Sequence, residues 1–311
     1  MAMKRSLGAR IICGWMRLHG CLPLRYHHFW ARIIAFLVEK VFRYRRDVVM
    51  VNLSRSFPDK SYEEITAICH RFYRHFATIL TEAFWSGALR GERGRKRLRR
   101  SHIVEFPDPT GFNRLMSSAG QVMLLSAHTG NWELLTGMLN YDYGEKLELE
   151  PSGLKIAYLK LSDAISEEVM AFNRMAFLED LCDDVFVESF DAMRYIDSHR
   201  EPGLAFLMVS DQYPYGGKHN AEVEFMHRMT PSMTAAAYMA VKHDMAIAYL
   251  GLGHREEGGY RIRVTPICEH SAGEDPAEIM QRFYRLLEKD LEAQPWNYLW
   301  THKRWKQTFK Q

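Results

Sequence analysis

The 311-residue chain carries a formal net charge of +3, and 47% of its residues are hydrophobic and 25% charged. That composition is typical of a globular protein with a substantial core rather than a disordered chain. The length alone is compatible with one large α/β domain or with two smaller ones.

Basic residues are concentrated at the N-terminal end, where residues 1–60 contain twelve Lys or Arg and three Asp or Glu. Large apolar and aromatic residues alternate with these charges, and the longest charge-free apolar run, IIAFLV, is too short to cross a bilayer. The pattern predicts a basic amphipathic region that lies in the interface of an anionic membrane. A buried amphipathic helix without lipid contact is the alternative. A second basic block, RGERGRKRLRR, occupies residues 90–100.

The five cysteines are scattered along the chain, and no two of them form a C-x-x-C pair. Because their number is odd, they cannot all pair within one chain. The pattern favours free, mostly buried thiols in a reducing compartment.

Residues 1 to about 100 are predicted to be helical. Ser61 and Glu64 form a capping-box pattern, and apolar residues follow it at helical spacing. From about residue 120, six short apolar runs alternate with helical patterns such as 232–242 and 275–292. These runs are QVMLLSA, KIAYLKL, DVFVES, LAFLMVS, MAIAYLGL and YRIRVTPI.

The alternation predicts an α/β fold, in which a mixed sheet is flanked by helices and preceded by a helical, membrane-associated N-terminal region. We place that region at residues 1–100 and the α/β domain at 101–311, continuous with the preceding helices. Ligands of α/β sheets usually bind beyond the carboxyl ends of the strands. Two predicted strands end in polar residues, at His128 and at Asp211-Gln212, and the two ends could face one cleft.

The first of these ends lies in the stretch SAHTGNWELL, residues 126–135. Gly130 accepts a positive φ and Asn131 is a good N-cap, so a turn followed by a helix is predicted, with Leu134, Leu135 and Met138 on its buried side. The turn would bring His128 and Glu133 together, next to free backbone N–H groups.

Such an arrangement suits acyl transfer to a hydroxyl group. A neutral imidazole can take the proton of the alcohol, a carboxylate can orient the imidazole, and the N–H groups can stabilise an oxyanion. Taken alone, however, H-x4-E also fits a structural histidine at a packed corner. A zinc site is disfavoured because no third ligand stands at an interpretable spacing.

Four stretches, in order, resemble the bacterial lipid A biosynthesis acyltransferases, the lauroyl/myristoyl family within the lysophospholipid-acyltransferase-like group. They cover most of the chain from about residue 10 to 306. The stretches are RYRRDVVMVNLSRSFPDKS (43–61), SAHTGNWELL (126–135), SDQ (210–212) with Thr230-Pro231 after it, and YLWTHKRWK (298–306).

The resemblance implies an acyltransferase catalytic domain at the cytoplasmic face of the bacterial inner membrane. It would move a fatty acyl chain from acyl carrier protein, or from coenzyme A, to a hydroxyl of a lipid A precursor, without a further cofactor or metal. His128 matches the catalytic base and Glu133 its acidic partner. Arg174 and Asp211 match positions that bind the acceptor or order the site, and a structural ion pair fits them equally well.

Gly130 and Asn131, within the same box, are assigned to substrate binding with Arg174 and Asp211. Two departures from the family pattern stand out: Arg25, His27, His28 and Arg32 interrupt the expected N-terminal transmembrane helix, and VEFMHRMTP replaces a Phe-Phe-Gly-like run. Other possibilities are an acyltransferase for a glycerophospholipid or another glycolipid, or a non-catalytic peripheral membrane protein. A nucleic-acid partner is not predicted, because no nucleic-acid motif is recognisable.

Overall fold

A computed structural model describes residues 6–141, 144–178, 181, 184–214 and 220–306. The described N-terminal third is helical, as predicted, and the Ser61–Glu64 capping box is formed at the start of its longest helix. The helices are α1 (Leu7–Gly20), α2 (Leu24–Phe36, continued by a π-turn at Leu37–Val41), α3 (Arg46–Ser56), α4 (Tyr62–Ser86), α5 (Gly91–Ser101), α6 (Thr110–Ala119), α7 (Ala164–Arg174), α8 (Ala192–Ser198), α9 (Ala235–Lys242) and α10 (Pro276–Ala293).

Seven strands form one mixed sheet in the order β1-β9-β8-β2-β5-β3-β4, which confirms the predicted α/β class and all six predicted strands. Strands β8, β2, β5, β3 and β4 are mutually parallel, whereas β9 runs antiparallel to β8. The strands are β1 (Val104–Glu105), β2 (Gln121–Ser126), β3 (Leu154–Tyr158), β4 (Phe186–Glu188), β5 (Leu204–Val209), β8 (Ala246–His254) and β9 (Tyr260–Cys268).

A separate antiparallel hairpin of β6 (Asn220–Phe225) and β7 (Arg228–Met233) was not predicted. Part of its second strand was assigned to the helix at 232–242, which begins at Ala235 instead. Pro231 lies within β7 and disguised it, because proline is uncommon inside strands.

Strand β2 lies at the centre of the sheet, and all six of its residues are buried. Its continuous apolar sequence suits a strand that is covered on both faces. Met123 and Leu125 enter one hydrophobic core with Ile65 and Phe72 of α4, so the N-terminal helices and the sheet share that core. The alternate residues of β2 enter a second core on the opposite face.

Helices α1 and α2 pack on the rest of the protein mainly through small residues, and most of their large apolar residues face outward. The buried residues are Ala9, Cys13, Met16 and Gly20 of α1 and His27, Ala31 and Ala35 of α2, and Met16 clusters with Phe172 of α7. The exposed apolar residues include Leu7, Ile11, Trp15, Leu18, Phe29, Trp30, Phe36, Val41 and Phe42. Among the described helices, none combines the length and apolar character that crossing a membrane requires.

Four of the five cysteines lie in the described residues, and none of these four is part of a disulfide. Cys13 and Cys69 are buried, whereas Cys21 is exposed. Burial raises the pKa of the Cys69 thiol to about 11, so this thiol is protonated at neutral pH. Cys182 lies outside the described residues.

Candidate active site

The two polar strand ends singled out in the sequence lie side by side. Strands β2 and β5 are neighbours in the sheet, and Ser126 at the end of β2 pairs with Val209 at the end of β5. His128 and Asp211 each follow two residues later. The prediction that the two ends face one cleft is therefore confirmed.

Gly130 makes the turn after β2, and its φ of +58° confirms the predicted positive value. A Cβ atom at this position would lie 2.8 Å from the Leu252 side chain and 3.0 Å from the Leu252 carbonyl oxygen. The Gly130 N–H donates to Asn297 Oδ1 at 2.7 Å. The turn is thus pressed against β8 and requires glycine both for conformation and for space.

A helical segment follows the turn, as predicted, but it is a 3₁₀ helix from Trp132 to Asn140. Leu134, Leu135 and Met138 form its buried side. Asn131 occupies the N-cap position, but its side chain makes no capping hydrogen bond, and its amide nitrogen donates to Glu82 Oε2 of α4 at 2.9 Å.

The His128 imidazole pairs with Asp211 and not with Glu133, which corrects the predicted partner. Nδ1 lies 2.7 Å from Asp211 Oδ1, and the His128 backbone N–H donates to the same oxygen at 3.1 Å. The side chain of Asp211 is only 2% exposed, whereas that of His128 is 16% exposed. The correction has a simple geometric cause: the 3₁₀ helix directs Glu133 towards α7, and the end of β5 brings Asp211 under the ring.

Asp211 is held as a carboxylate. Burial alone would raise its pKa, but the adjacent imidazole and the hydroxyl of Tyr298 outweigh burial and lower the pKa below its ordinary value. An ionised carboxylate only accepts hydrogen bonds, so the 2.7 Å contact places a proton on Nδ1 of His128. In the neutral imidazole, Nε2 therefore carries the free lone pair.

That lone pair faces the side chain of Gln212. The amide nitrogen of Gln212 lies 3.1 Å from His128 Nε2, where it donates to the neutral ring. Trp132 packs edge-on against the imidazole, with the ring centroids 4.9 Å apart. The reactive nitrogen is thus enclosed by a polar amide on one side and an aromatic ring on another.

Glu133 and Arg174 form a bidentate ion pair. Nε of Arg174 donates to Oε2 of Glu133 at 3.0 Å, and Nη2 donates to Oε1 at 3.2 Å. Burial by itself lowers the pKa of Arg174, but the carboxylate of Glu133 more than compensates and raises it. A structural ion pair was one expectation for both Arg174 and Asp211. Arg174 forms such a pair with Glu133, and Asp211 pairs with His128.

A cavity of about 500 Å³ lies next to the histidine, and its polar lining includes His128, Glu133, Arg174 and Gln212. The rest of the lining is mainly apolar and includes Leu135, Ile156, Leu159, Phe186 and Val209. Of the residues predicted to bind substrate, Arg174 lines this cavity, whereas Gly130, Asn131 and Asp211 are buried and do not. An apolar cavity with a few polar groups in its lining is typical of a site for a hydrocarbon chain with a polar end.

The backbone N–H groups of the turn are already used within the protein. The N–H of His128 donates to Asp211, that of Thr129 to Ala127 and that of Gly130 to Asn297. These three N–H groups are therefore not available to an oxyanion, and the oxyanion site expected at the N-terminal N–H groups of the following helix stays a prediction. Arg174 is the cation among the cavity-lining residues that can serve a developing negative charge instead.

The C-terminal aromatic-basic segment packs into the protein and does not line the cavity. Arg304 is buried and donates to the Pro231 carbonyl and to the Tyr284 hydroxyl, and the Trp305 indole donates to Thr230. The segment thus fastens the hairpin β6–β7 to α10. In the described part of the chain, no three His, Cys, Asp or Glu side chains come together as a metal-ligand set.

Sequence analysis missed two residues near the site, Glu82 and Tyr298, and it noted Gln212 only as part of a strand end, without a contact to His128. Glu82 carried a detectable signal, because it continues the buried helical stripe of Phe72 and Ile79 while being charged. Tyr298 lies within the YLWTHKRWK stretch, and Gln212 lies directly after Asp211, but nothing in their spacing predicts a contact with the dyad.

The α/β fold and the largely apolar cavity are typical of a protein that binds a substrate with a hydrocarbon chain. A family model for bacterial lipid A biosynthesis acyltransferases matches residues 2–307. The chain belongs to the bacterial lipid A biosynthesis acyltransferase family, and it is accordingly an acyltransferase. A search of curated proteins found no match.

Proposed function

We propose that the protein transfers a fatty acyl chain from an acyl thioester, carried by acyl carrier protein or coenzyme A, to a hydroxyl of a lipid A precursor. The observation that carries the proposal is the His128–Asp211 pair at the wall of the apolar cavity. The family supports a lipid A precursor as the substrate. The donor is inferred from the chemistry, because a thioester is an activated acyl group that needs no nucleophilic serine or cysteine to react with an alkoxide.

In the proposed reaction, His128 acts as general base. The acceptor hydroxyl takes the place of the Gln212 amide and donates to Nε2, whose lone pair receives the proton as the oxygen attacks the thioester carbonyl. Asp211 keeps the ring in the required tautomer and stabilises the imidazolium. When the carbon–sulfur bond breaks, the thiolate takes the proton back from Nε2, and the dyad returns to its starting state.

Arg174 is proposed to stabilise the oxyanion of the tetrahedral intermediate, and Glu133 to orient it. The bidentate pairing fixes the plane of the guanidinium while leaving part of it on the cavity wall. A fixed cation at the point where negative charge develops stabilises the transition state more than the ground state.

The N-terminal helices are proposed to rest on an anionic membrane surface, at the cytoplasmic face of the bacterial inner membrane. Their buried faces consist mainly of small residues and most of their large apolar residues face outward, the reverse of the usual amphipathic arrangement in a soluble protein. Basic residues such as Arg10, Arg17 and Arg25 are exposed among them and would favour anionic headgroups. The acceptor and its product are lipids, so contact with a bilayer brings the enzyme to its substrate.

The proposal is tested by incubating the purified protein with acyl thioesters of acyl carrier protein and of coenzyme A, and with a panel of lipid acceptors. Mass spectrometry of the products is expected to show one acyl chain added to the lipid A precursor, in an ester bond. Acylation of a lysophospholipid with the lipid A precursor left unchanged would replace the proposed acceptor. Absence of transfer to every acceptor from both donors would contradict the proposal.

A further inference from the structure

A buried carboxylate lies outside the dyad and close to it. Glu82, on the last turn of α4, is 1% exposed and has three partners on three different elements. Oε2 accepts from the Asn131 amide and from the Tyr260 hydroxyl, both at 2.9 Å, and Oε1 lies 3.0 Å from Nε2 of His28 on α2. The carboxylate therefore joins the turn after β2, the first residue of β9 and an N-terminal helix.

Burying a carboxylate is costly unless it is fully hydrogen-bonded. A glutamate that served only to fill space in α4 would be replaced at lower cost by an apolar residue of similar volume. The presence of a carboxylate at position 82 is therefore explained by the groups that it binds. Of its three partners, Asn131 belongs to the turn that carries His128 and Glu133, and both of those residues line the cavity.

Helix α4 contacts this turn at a second point. The ring of His75, two helical turns before Glu82, lies next to the backbone of Gly130, and its Nδ1 is 3.0 Å from Nε2 of His254. Neighbouring residues of one turn are thus anchored to one face of one helix. Because Asn131 lies between His128 and Glu133 in the chain, a shift of Asn131 would change the position of the base relative to the partner of Arg174.

We propose that Glu82 is a positioning residue for the acyl transfer: its contact with Asn131 sets the distance between His128 and the Arg174–Glu133 pair. The inference rests on the proposed function. Displacing a reacting group by about 1 Å can reduce turnover by roughly 10²-fold, even when substrate binding is unchanged. Loss of the Glu82–Asn131 contact should therefore act on kcat and leave KM nearly unaffected.

Four variants of the full-length protein test this contact. Glu82→Gln retains an oxygen that accepts from Asn131 and Tyr260, so kcat should stay within about threefold of wild type, the scale of one modest hydrogen bond. Glu82→Ala should lower kcat by roughly 10²-fold. Asn131→Asp places two carboxylates together and should lower kcat by a similar factor. In the double variant Glu82→Gln/Asn131→Asp, the glutamine amide can donate to the new carboxylate, so kcat should recover by about 10-fold relative to Asn131→Asp.

Tyr249→Phe is the matched control, because it removes a buried hydroxyl that donates to another carboxylate, Asp290, at 2.8 Å. It is expected to lower thermal stability without a selective fall in kcat. Steady-state kinetics are measured well below each melting temperature, so that only folded protein is compared. Equal kcat values for Glu82→Ala and wild type would overturn the inference, as would a double variant no faster than Asn131→Asp. If the wild type transferred no acyl chain from either donor, the proposed function would fail instead.

Discussion

The turn after β2 and the N-terminal helices α1 and α2 are held in place by largely different means. Buried polar contacts anchor the turn: Gly130 to Asn297, Asn131 to Glu82, and His128 to Asp211. Helices α1 and α2 pack mainly through small residues, with a polar contact from His28 to Glu82, and most of their large apolar side chains point outward. Directional bonds fix atoms to within fractions of an ångström, as catalysis requires, whereas close packing of small residues leaves a broad apolar surface free.

If this contrast is correct, substitutions in the turn should act on the chemical step, and substitutions on the outer face of α1 should act on lipid binding. His128→Ala has the largest expected effect. Removing a general base lowers turnover by about 10⁴-fold at the upper end of the usual range. The measurement is kcat for acyl transfer to the lipid A precursor, with circular dichroism to show that the fold survives. Ordinary turnover in a folded variant would remove the general-base assignment.

Asp211→Asn should lower kcat by roughly 10³-fold, because the amide no longer enforces a proton on Nδ1 of His128. Glu133→Gln is the matched control, since it neutralises a carboxylate that contacts Arg174 and not His128. Its effect on kcat should be smaller than that of Asp211→Asn. The reverse order would restore the pairing of His128 with Glu133 that the sequence suggested.

Gln212→Ala should uncover Nε2 of His128 and admit water. Hydrolysis of the acyl thioester in the absence of acceptor should then rise, and the ratio of transfer to hydrolysis should fall by roughly 10-fold, the scale of one hydrogen bond. Free fatty acid and acylated lipid are quantified in the same reaction. An unchanged ratio would show that the Gln212 amide does not keep water away from Nε2 of His128.

Replacing Ile11, Trp15 and Leu18 together by serine should weaken binding to anionic phospholipid vesicles by at least about 10-fold, because three exposed apolar side chains are lost. Sedimentation with vesicles at low and high salt is the measurement. Met229→Ser, which removes an exposed apolar side chain on β7, is the control and should leave binding unchanged. Equal binding by the triple variant would place the lipid contact elsewhere.

Stability at acid pH should depend on His254. Burial lowers the pKa of this histidine from 6.5 to about 4, so the unfolded chain binds a proton more readily than the folded protein. The contribution of neutral His254 to the free energy of unfolding is present above about pH 6.5 and is lost as the pH falls towards 4. The loss is on the order of 3 kcal/mol. The melting temperature of His254→Gln should therefore fall less between pH 7 and 4.5 than that of the wild type. Parallel curves would contradict this expectation.

The sequence was informative where the determinants are local. Hydrophobic runs located six strands, the Ser61–Glu64 spacing located the start of α4, and Gly130 located a turn with positive φ. It was misleading at Glu133, because the nearest carboxylate in the chain is not the nearest in space. Asp211 reaches His128 through the adjacency of β2 and β5, and strand order depends on tertiary packing that one sequence does not display.

The close approach of Gly130 to Leu252 has a consequence for how this protein can vary. Any side chain at position 130 would collide with β8 and would also require a disfavoured backbone conformation. A saturation library at this codon should therefore retain glycine alone, although Gly130 takes no part in proton transfer and does not line the cavity. The constraint on position 130 thus comes from the absence of a side chain, since the empty Cβ position lets the turn that carries His128 lie against β8.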